Sequence, residues 1–248
     1  MAHRATASTR MQDIAMQTFL AADELAPVLV FAHGAGAGQH HPWIDVVARG
    51  LAAHGVHVVT FDFPYMRDGR KLPDKGAVLE AAFGDAWTEA AASLPPGPTA
   101  GGPLGQRTIR TRTTGARVSP MFAGGKSMGG RIASQVTARG TLRPAPAGLV
   151  FFGYPLHPPG KPEQRRDRHL AALESPLLFL HGSKDPFGSP DEMRALTAAL
   201  PRATLELIDG GDHSLKMGLR QDPAAQSLPR AITIAATWIK AAARTTTI

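Results

Sequence analysis

Short apolar runs that stop at glycine or proline recur along this chain, with amphipathic stretches between them. Such runs are typical of strands buried on both faces, and a parallel sheet needs helices between its strands. The runs predict strands at 28–32, 57–61, 121–123, 147–152, 176–180 and 204–208. The stretches between them predict helices at 43–54, 78–93, 128–139, 190–200 and 229–243. The predicted fold class is therefore α/β, a doubly wound and mostly parallel sheet with helices on both faces and no large separate cap domain.

The length of 248 residues suits one such domain across 1–248, with 1–20 as a flexible start. Residues 95–120 are rich in proline, glycine, threonine and arginine and have no apolar period, so a surface insertion is expected there. The absence of cysteine excludes disulfides and thiolate metal sites. No apolar signal segment or run of membrane-spanning length is found, so a soluble, cytoplasmic protein without membrane association is expected.

A formal net charge of +7 raises the question of nucleic-acid binding. Four arginines lie within 107–117, and Arg165, Arg166 and Arg168 form a second cluster. Neither cluster has interleaved aromatic residues, and only 6% of the chain is aromatic, so no base-stacking platform is visible. Both clusters are interpreted as solvated loops, and nucleic acid is not an expected partner. A small-molecule ester or acyl substrate is expected instead, and homodimer formation stays open.

The stretch around Ser127 has the pattern G-x-S-x-G, with glycine at positions 125 and 129. A serine hydroxyl is a poor nucleophile at neutral pH, so it must be exposed on a tight strand-to-helix turn and placed beside a base. Gly125 and Gly129 would let the strand end and the helix start pass closely, because they lack a Cβ. The pattern alone is weak, but here it follows an apolar strand and precedes a predicted helix.

An acid and a base follow Ser127 in the chain order that such a serine needs. Asp185 comes directly after the predicted strand 176–180, and His213 comes after the last predicted strand. The catalytic residues are therefore predicted to be Ser127, Asp185 and His213. Asp185 could equally form a turn or cap the next helix, and Asp62 after the second strand is the alternative acid.

The glycine-rich loop 33–38 follows the first predicted strand and precedes a helix. It suits an oxyanion hole, with the backbone amides of Ala35 and Met128 as donors. The rival interpretation is a dinucleotide fingerprint, G-x-G-x-x-G. Gly34 and Gly36 fit its first two positions, but Gln39 occupies the third, so a nucleotide site is discounted.

The substrate pocket is predicted to be lined by residues of two loops, namely His33, Gly34, Gly36, His41, Tyr154 and His157. The second of these loops, 154–161, is stiffened by prolines and could equally be a rigid connection without a substrate role. The adjacent histidines at 40 and 41 lack metal-ligand spacing, so no metal is predicted, and the chemistry needs no organic cofactor.

With these residues in place, the chain resembles the α/β-hydrolase superfamily. Within it, the chain resembles the dienelactone-hydrolase-like branch, which includes testis-expressed protein 30 and the third subunit of the non-specific lethal chromatin complex. The motifs that carry the resemblance are HGAGAG at 33–38, HHPW at 40–43, FDFPYM at 61–66, GGKSMGGR at 124–131, YPLHPPGKP at 154–162, HGSKDPFG at 181–188 and GGDHSL at 210–215. The segment 95–120 departs from the pattern, because relatives run more directly into the elbow strand.

The resemblance implies a serine hydrolase fold with Ser127 as nucleophile, Asp185 as acid and His213 as base. Together with the residues, it predicts a hydrolase of carboxylic esters or thioesters that forms an acyl-enzyme. The alternative from another class is a catalytically inactive module that uses the same fold to bind a partner. A peptidase or acyltransferase with the same three residues cannot be separated from an esterase by sequence.

Overall fold

The computed structural model describes residues 15–93, 119–218 and 225–245. The strands are β1 (Met16–Phe19), β2 (Val28–Ala32), β3 (His57–Phe61), β4 (Met121–Lys126), β5 (Leu149–Phe152), β6 (Leu177–Gly182) and β7 (Ala203–Ile208). The helices are α1 (Pro42–Ala53), α2 (Pro64–Arg67), α3 (Gly76–Ser93), α4 (Met128–Ala138), α5 (Pro190–Ala198) and α6 (Ser227–Thr245), with a 3-10 helix at Arg168–Ala172. None of the described helices is long and apolar enough to cross a membrane.

The seven strands form one sheet in the order β1-β3-β2-β4-β5-β6-β7. Strands β2 to β7 run parallel, and β1 pairs antiparallel with β3 at one edge. The carboxyl ends of the six parallel strands therefore open onto the same edge of the sheet. Loops at this edge of such a sheet usually carry the binding site.

Both faces of the sheet are covered by helices, as the apolar strand sequences require. Helices α1 and α6 pack on one face, against side chains such as Phe31, Val58 and Phe152. Helices α3, α4 and α5 pack on the other face, against side chains such as Val30 and Phe151. Alternate residues of the same strands enter opposite cores, so the predicted α/β fold class is confirmed.

Four elements differ from the sequence-based prediction, one of them the 3-10 helix at Arg168–Ala172, which was not predicted. Residues 16–19, which fall in the segment predicted to be flexible, form the edge strand β1. Strand β4 continues through two glycines to Lys126, three residues beyond its predicted end. The short helix α2 was not predicted. Most of the predicted insertion, 95–118, and with it the 107–117 arginine cluster, lies outside the described residues.

Candidate active site

The turn that carries Ser127 joins β4 directly to α4. Ser127 has φ 51° and ψ −116°, a conformation that residues with a side chain rarely adopt. The turn also brings β2 close. A Cβ on Gly125 would lie 2.5 Å from the carbonyl oxygen of Ala32, and one on Gly129 would overlap the same carbonyl group. Only glycine at these two positions allows the serine to be held in this conformation.

The side chains of Ser127, His213 and Asp185 form a continuous hydrogen-bonded chain. His213 Nε2 lies 2.8 Å from Ser127 Oγ, and His213 Nδ1 lies 2.7 Å from Asp185 Oδ2. Because the carboxylate only accepts, Nδ1 carries the proton, and Nε2 is left to accept the proton of the serine hydroxyl. Ser127 follows β4, Asp185 follows β6 and His213 follows β7. The edge of the sheet therefore brings His213 into contact with a serine 86 positions away and an aspartate 28 positions away.

Asp185 is buried, with its carboxylate held on both oxygens. Its Oδ1 accepts a hydrogen bond of 2.9 Å from the backbone N–H of Phe187. Burial raises the pKa of Asp185, but the hydrogen bond and charge of His213 outweigh burial, with smaller contributions from His181 and the Phe187 amide. The net pKa lies below the ordinary value of an aspartate. Asp185 is therefore ionised and orients the imidazole of His213.

The ring of Phe187 packs at a tilt against the imidazole of His213, with ring centroids 4.2 Å apart and planes inclined at 32°. The same phenylalanine supplies the amide that binds Asp185. Phe187 therefore holds Asp185 with its amide and packs on the ring of His213 with its side chain.

Two side chains from distant elements hold the backbone of the His213 loop. The Lys126 ammonium donates to the carbonyl oxygen of His213, and Trp43 Nε1 donates to the carbonyl oxygen of Ser214 at 3.0 Å. Lys126 is buried, and burial lowers its pKa to about 8 despite the opposing charges of Asp185 and Asp212. Its Nζ also lies 5.6 Å from the ring centroid of Trp43. These contacts join the nucleophile strand to the loop that carries the base.

The loop after β2 lies beside Ser127 and contributes Gly34 and Ala35 to the same cavity. Met128 is the first residue of α4, so its amide belongs to the unpaired N-terminal turn of the helix. Within the described part of the chain, neither the Ala35 amide nor the Met128 amide donates a hydrogen bond. Both predicted oxyanion donors therefore lie beside the serine and are free to bind a ligand oxygen.

The buried side chain of His33 holds the loop after β2 in place with two hydrogen bonds. Its Nδ1 donates to the carbonyl oxygen of Gly34 at 2.8 Å, and its Nε2 accepts from the amide of Phe63 at 3.1 Å. Burial lowers the pKa of His33, so the ring is neutral, as these two bonds require. Asp62, the alternative acid, accepts from the amide of Gln39 at 2.7 Å and fixes the other end of the loop. Asp62 therefore holds this loop, whereas Asp185 is the carboxylate that contacts His213.

A cavity of about 540 Å³ lies over Ser127. It is lined by residues of α1, α4 and the loops after β2, β4, β5, β6 and β7, namely Gly34, Ala35, Ala37, His41, Trp43, Ile44, Lys126, Ser127, Met128, Arg131, Pro155, Arg166, Phe187, Asp212, His213, Ser214 and Lys216. Gly34 and His41 lie in the pocket, as predicted. Arg166, predicted to belong to a solvated cluster, is half-buried and lines the cavity instead.

The other four predicted pocket residues lie outside this lining, which corrects their expected position. His33 is buried under the loop, and Gly36 sits at an exposed turn with φ 75°. Tyr154 is buried, and its hydroxyl donates to the carbonyl oxygen of Arg166 at 3.0 Å. The ring nitrogens of His157 lie 2.8 Å from the Pro158 carbonyl and 3.3 Å from a Glu192 carboxylate oxygen. Tyr154 and His157 therefore lie behind the wall of the cavity and support it.

His41 also caps α1, since its Nδ1 accepts from the amide of Trp43 at 3.2 Å. Over the described ranges, no three histidine, aspartate or glutamate side chains come together as metal ligands would.

Sequence reasoning missed Lys126, Trp43, Phe187 and Arg131. All four lie inside the motifs that carried the resemblance, and three of them are one or two residues from a predicted site residue. Their positions next to Ser127, His41 and Asp185 were a signal that could have placed them near the cavity. The direction of each side chain depends on partners far away in the chain and could not be derived from position alone.

A parallel sheet with a serine on a left-handed strand-to-helix turn, and with an acid and a histidine after later strands, defines the α/β-hydrolase class. Residues 26–240 match the family model of the alpha/beta hydrolase domain, so the chain belongs to this family.

Three solved structures of low sequence identity illustrate the shared fold. The esterase domain of a Rhodothermus marinus protein is 16% identical, with 91% of each chain covered and a TM-score of 0.60. Dienelactone hydrolase from Anabaena variabilis is 17% identical, with 91% of this chain and 90% of that chain covered and a TM-score of 0.62. Est1E from Butyrivibrio proteoclasticus with bound ferulic acid is 14% identical, with 92% and 96% covered and a TM-score of 0.64.

Proposed function

We propose that this protein is a serine hydrolase that cleaves carboxylic esters or thioesters through an acyl-enzyme. The observation that carries the proposal is the hydrogen-bonded chain from Ser127 Oγ through His213 to Asp185, with distances of 2.8 and 2.7 Å. These are the contacts that a serine needs to lose its proton as it attacks.

In the first half of the reaction, Ser127 Oγ attacks the carbonyl carbon of the substrate and its proton passes to His213 Nε2. The carbonyl oxygen becomes an oxyanion, which the amides of Ala35 and Met128 bind. The tetrahedral intermediate then collapses, and the alcohol or thiol leaves with the proton from His213. The product that stays behind is an ester of Ser127.

In the second half, a water molecule gives its proton to His213 and attacks the acyl carbon. The intermediate collapses again, Ser127 regains its proton from His213, and the carboxylic acid is released. Asp185 stays ionised throughout and stabilises the positively charged imidazole. Its buried position and lowered pKa support this role.

The open cavity over the serine favours an enzyme over an inactive binding module. A partner-binding module needs neither a strained serine nor a pair of free amides beside it. Strain of this kind costs about 1–3 kcal/mol and persists where the surrounding structure enforces it. Hydrolases of this family act on many bonds, so the ester and thioester preference is the part of the proposal that needs a direct test.

The test is a panel of p-nitrophenyl esters of graded chain length with wild type, Ser127→Ala and Ser93→Ala. Ser93 is an exposed serine at the end of α3, far from the cavity, and serves as the matched control. We expect Ser127→Ala to lower kcat by roughly a thousandfold or more and Ser93→Ala to leave it unchanged. Equal hydrolysis by wild type and Ser127→Ala would overturn the proposal.

A further inference from the structure

The cavity over Ser127 carries an excess of positive charge. Four of its lining side chains are cationic, namely Lys126, Arg131, Arg166 and Lys216, and one, Asp212, is a carboxylate. The charge of this carboxylate acts on Lys126, and its Oδ1 also accepts hydrogen bonds from the amides of Ser214 at 2.7 Å and Lys216 at 3.0 Å. One carboxylate against four cations leaves the lining with a net positive charge.

Two of the four cationic side chains either bind another group or lie at the edge of the cavity. The ammonium of Lys126 donates to the carbonyl oxygen of His213, and Lys216 is exposed at the rim. The two arginines remain as groups that a bound molecule can reach.

Arg131 is half-buried on α4, one helical turn after Ser127. Its Nε is shielded from solvent and has no hydrogen-bond partner, while Nη1 reaches only Gln135 Oε1 at 3.4 Å. Glu80, whose charge acts on Arg131, forms its ion pair with Arg139 instead. A buried donor of a charged group that stays unpaired is costly, so the guanidinium of Arg131 is poorly satisfied within the described residues.

Arg166 lies beside Arg131 and is also half-buried. Its backbone is fixed on both sides, because its amide donates to the carbonyl oxygen of Leu156 at 2.9 Å and its carbonyl accepts from Tyr154. The nearest acidic neighbour in sequence, Asp167, is paired with Arg165. Within the described ranges, neither Arg131 nor Arg166 has a carboxylate at ion-pair distance.

The two guanidinium groups repel each other. Burial lowers the pKa of Arg131, and the charge of Arg166 lowers it further. An anion between them would relieve this repulsion. The planar fork of a guanidinium fits a carboxylate with two parallel hydrogen bonds.

We propose that Arg131 and Arg166 form a subsite for a carboxylate of the substrate. The preferred substrates are then esters or thioesters that carry a second, anionic group a few bonds from the bond that is cleaved. This inference rests on the proposed function, since the same cavity holds Ser127. The carboxylate can belong to the acyl part or to the leaving group, and the experiment separates the two.

The experiment compares kcat/KM for two matched pairs of esters. p-Nitrophenyl hemiadipate and p-nitrophenyl hexanoate differ in a carboxylate on the acyl part. 4-Acetoxybenzoate and its methyl ester differ in a carboxylate on the leaving group. We expect the anionic member to be preferred by about tenfold or more in one pair, as charge-assisted hydrogen bonds provide. Equal kcat/KM within both pairs would overturn the inference.

Variants of the two arginines test the assignment. Arg131→Gln and Arg166→Gln should each remove most of the preference for the anionic ester, expressed as the ratio of kcat/KM for the two members of a pair. Arg168→Gln removes the same charge from an exposed position in the neighbouring 3-10 helix, outside the cavity, and should leave the preference unchanged. An equal loss with all three variants would show a general field effect and contradict the subsite.

Two further measurements serve as controls, one for folding and one for binding without catalysis. Arg131→Gln removes an unpaired, half-buried charge, so its unfolding temperature should not fall below that of wild type. Binding of monomethyl adipate and dimethyl adipate to Ser127→Ala, measured by calorimetry, needs no turnover. Tighter binding of the monoanion that is lost in Ser127→Ala/Arg131→Gln supports the subsite even if no ester is hydrolysed. Equal binding of both compounds contradicts it, even if hydrolysis is observed.

Discussion

Gly153, the residue after β5, determines how closely that strand approaches the His213 loop. It has φ 67°, and a Cβ there would lie 2.6 Å from the carbonyl oxygen of His213 and 3.2 Å from its Nδ1. The base can occupy its position only because this residue has no side chain. The requirement was not evident from sequence, because 60 residues separate the glycine from the histidine that it touches.

We expect Gly153→Ala to lower kcat/KM for esters by about tenfold or more, because the added methyl group displaces His213. The matched control is Gly160→Ala, which has a similar φ of 70° and nothing within 4 Å of the added Cβ. Both variants carry a similar backbone strain of about 1–2 kcal/mol, and Gly153→Ala should lose further stability through the clash with His213. Steady-state kinetics and thermal unfolding measure the two effects, and equal kcat/KM in the two variants would contradict the argument.

Lys126 gives a pH-dependent contribution to stability. Its pKa is about 8 in the folded protein and about 10.4 in an unfolded chain. Between these values the unfolded state binds more protons, so the free energy of unfolding rises with pH, by up to about 1.4 kcal/mol per pH unit. Below about pH 8 Lys126 no longer makes the free energy of unfolding depend on pH, because the lysine is charged in both the folded and the unfolded state.

We therefore expect the difference in unfolding free energy between wild type and Lys126→Met to increase in favour of wild type from pH 8 to pH 10. Urea unfolding at pH 7, 8, 9 and 10 measures it. A difference that stays constant over this range would show that Lys126 is not desolvated in the folded protein.

At the scale of elements, α1 and the His213 loop are joined by the indole of Trp43. Its N–H donates to Ser214, and its ring contacts Phe31 and Phe152 in the sheet core, with centroids 6.4 and 5.7 Å apart. The first turn of α1 therefore serves as a support for the loop that carries the base. The helix itself was predictable from its apolar spacing and from Pro42 in its first turn.

Trp43→Phe keeps an aromatic ring and removes the donor, so we expect a loss of about 1 kcal/mol in stability and a several-fold loss in kcat. Trp87→Phe is the matched control, because Trp87 Nε1 donates to the Pro144 carbonyl at 3.1 Å in the core and away from the loop. Hydrogen exchange at 213–215 should become faster in Trp43→Phe alone. Similar exchange rates in both variants would contradict the support role.

The elements that sequence reasoning missed are those with little sequence signal. Strand β1 has four residues and exists through its antiparallel pairing with β3. The end of β4 is formed by glycines and a lysine, which have a weak strand preference, and it is held by pairing with β2 and β5. In both cases tertiary pairing overrides local preference.

At the scale of the whole molecule, the sheet order explains why three short motifs converge. Strands β4, β5, β6 and β7 are neighbours in space as well as in sequence, so their carboxyl ends form one continuous edge. The fold class and the order of serine, acid and histidine were predictable, because apolar periodicity and motif position carry that information. The positive charge of the cavity was not predictable, because Arg131 and Arg166 come from segments 35 residues apart.

The central claim is that Ser127 is a nucleophile activated by His213 and Asp185. Labelling with a fluorophosphonate probe followed by peptide mass spectrometry tests it most directly. We expect one adduct, on Ser127, that is lost in Ser127→Ala and forms far more slowly in His213→Ala, whereas Ser93→Ala is labelled like wild type. A folded wild-type protein that is not labelled, or that is labelled equally well without Ser127, would contradict the account.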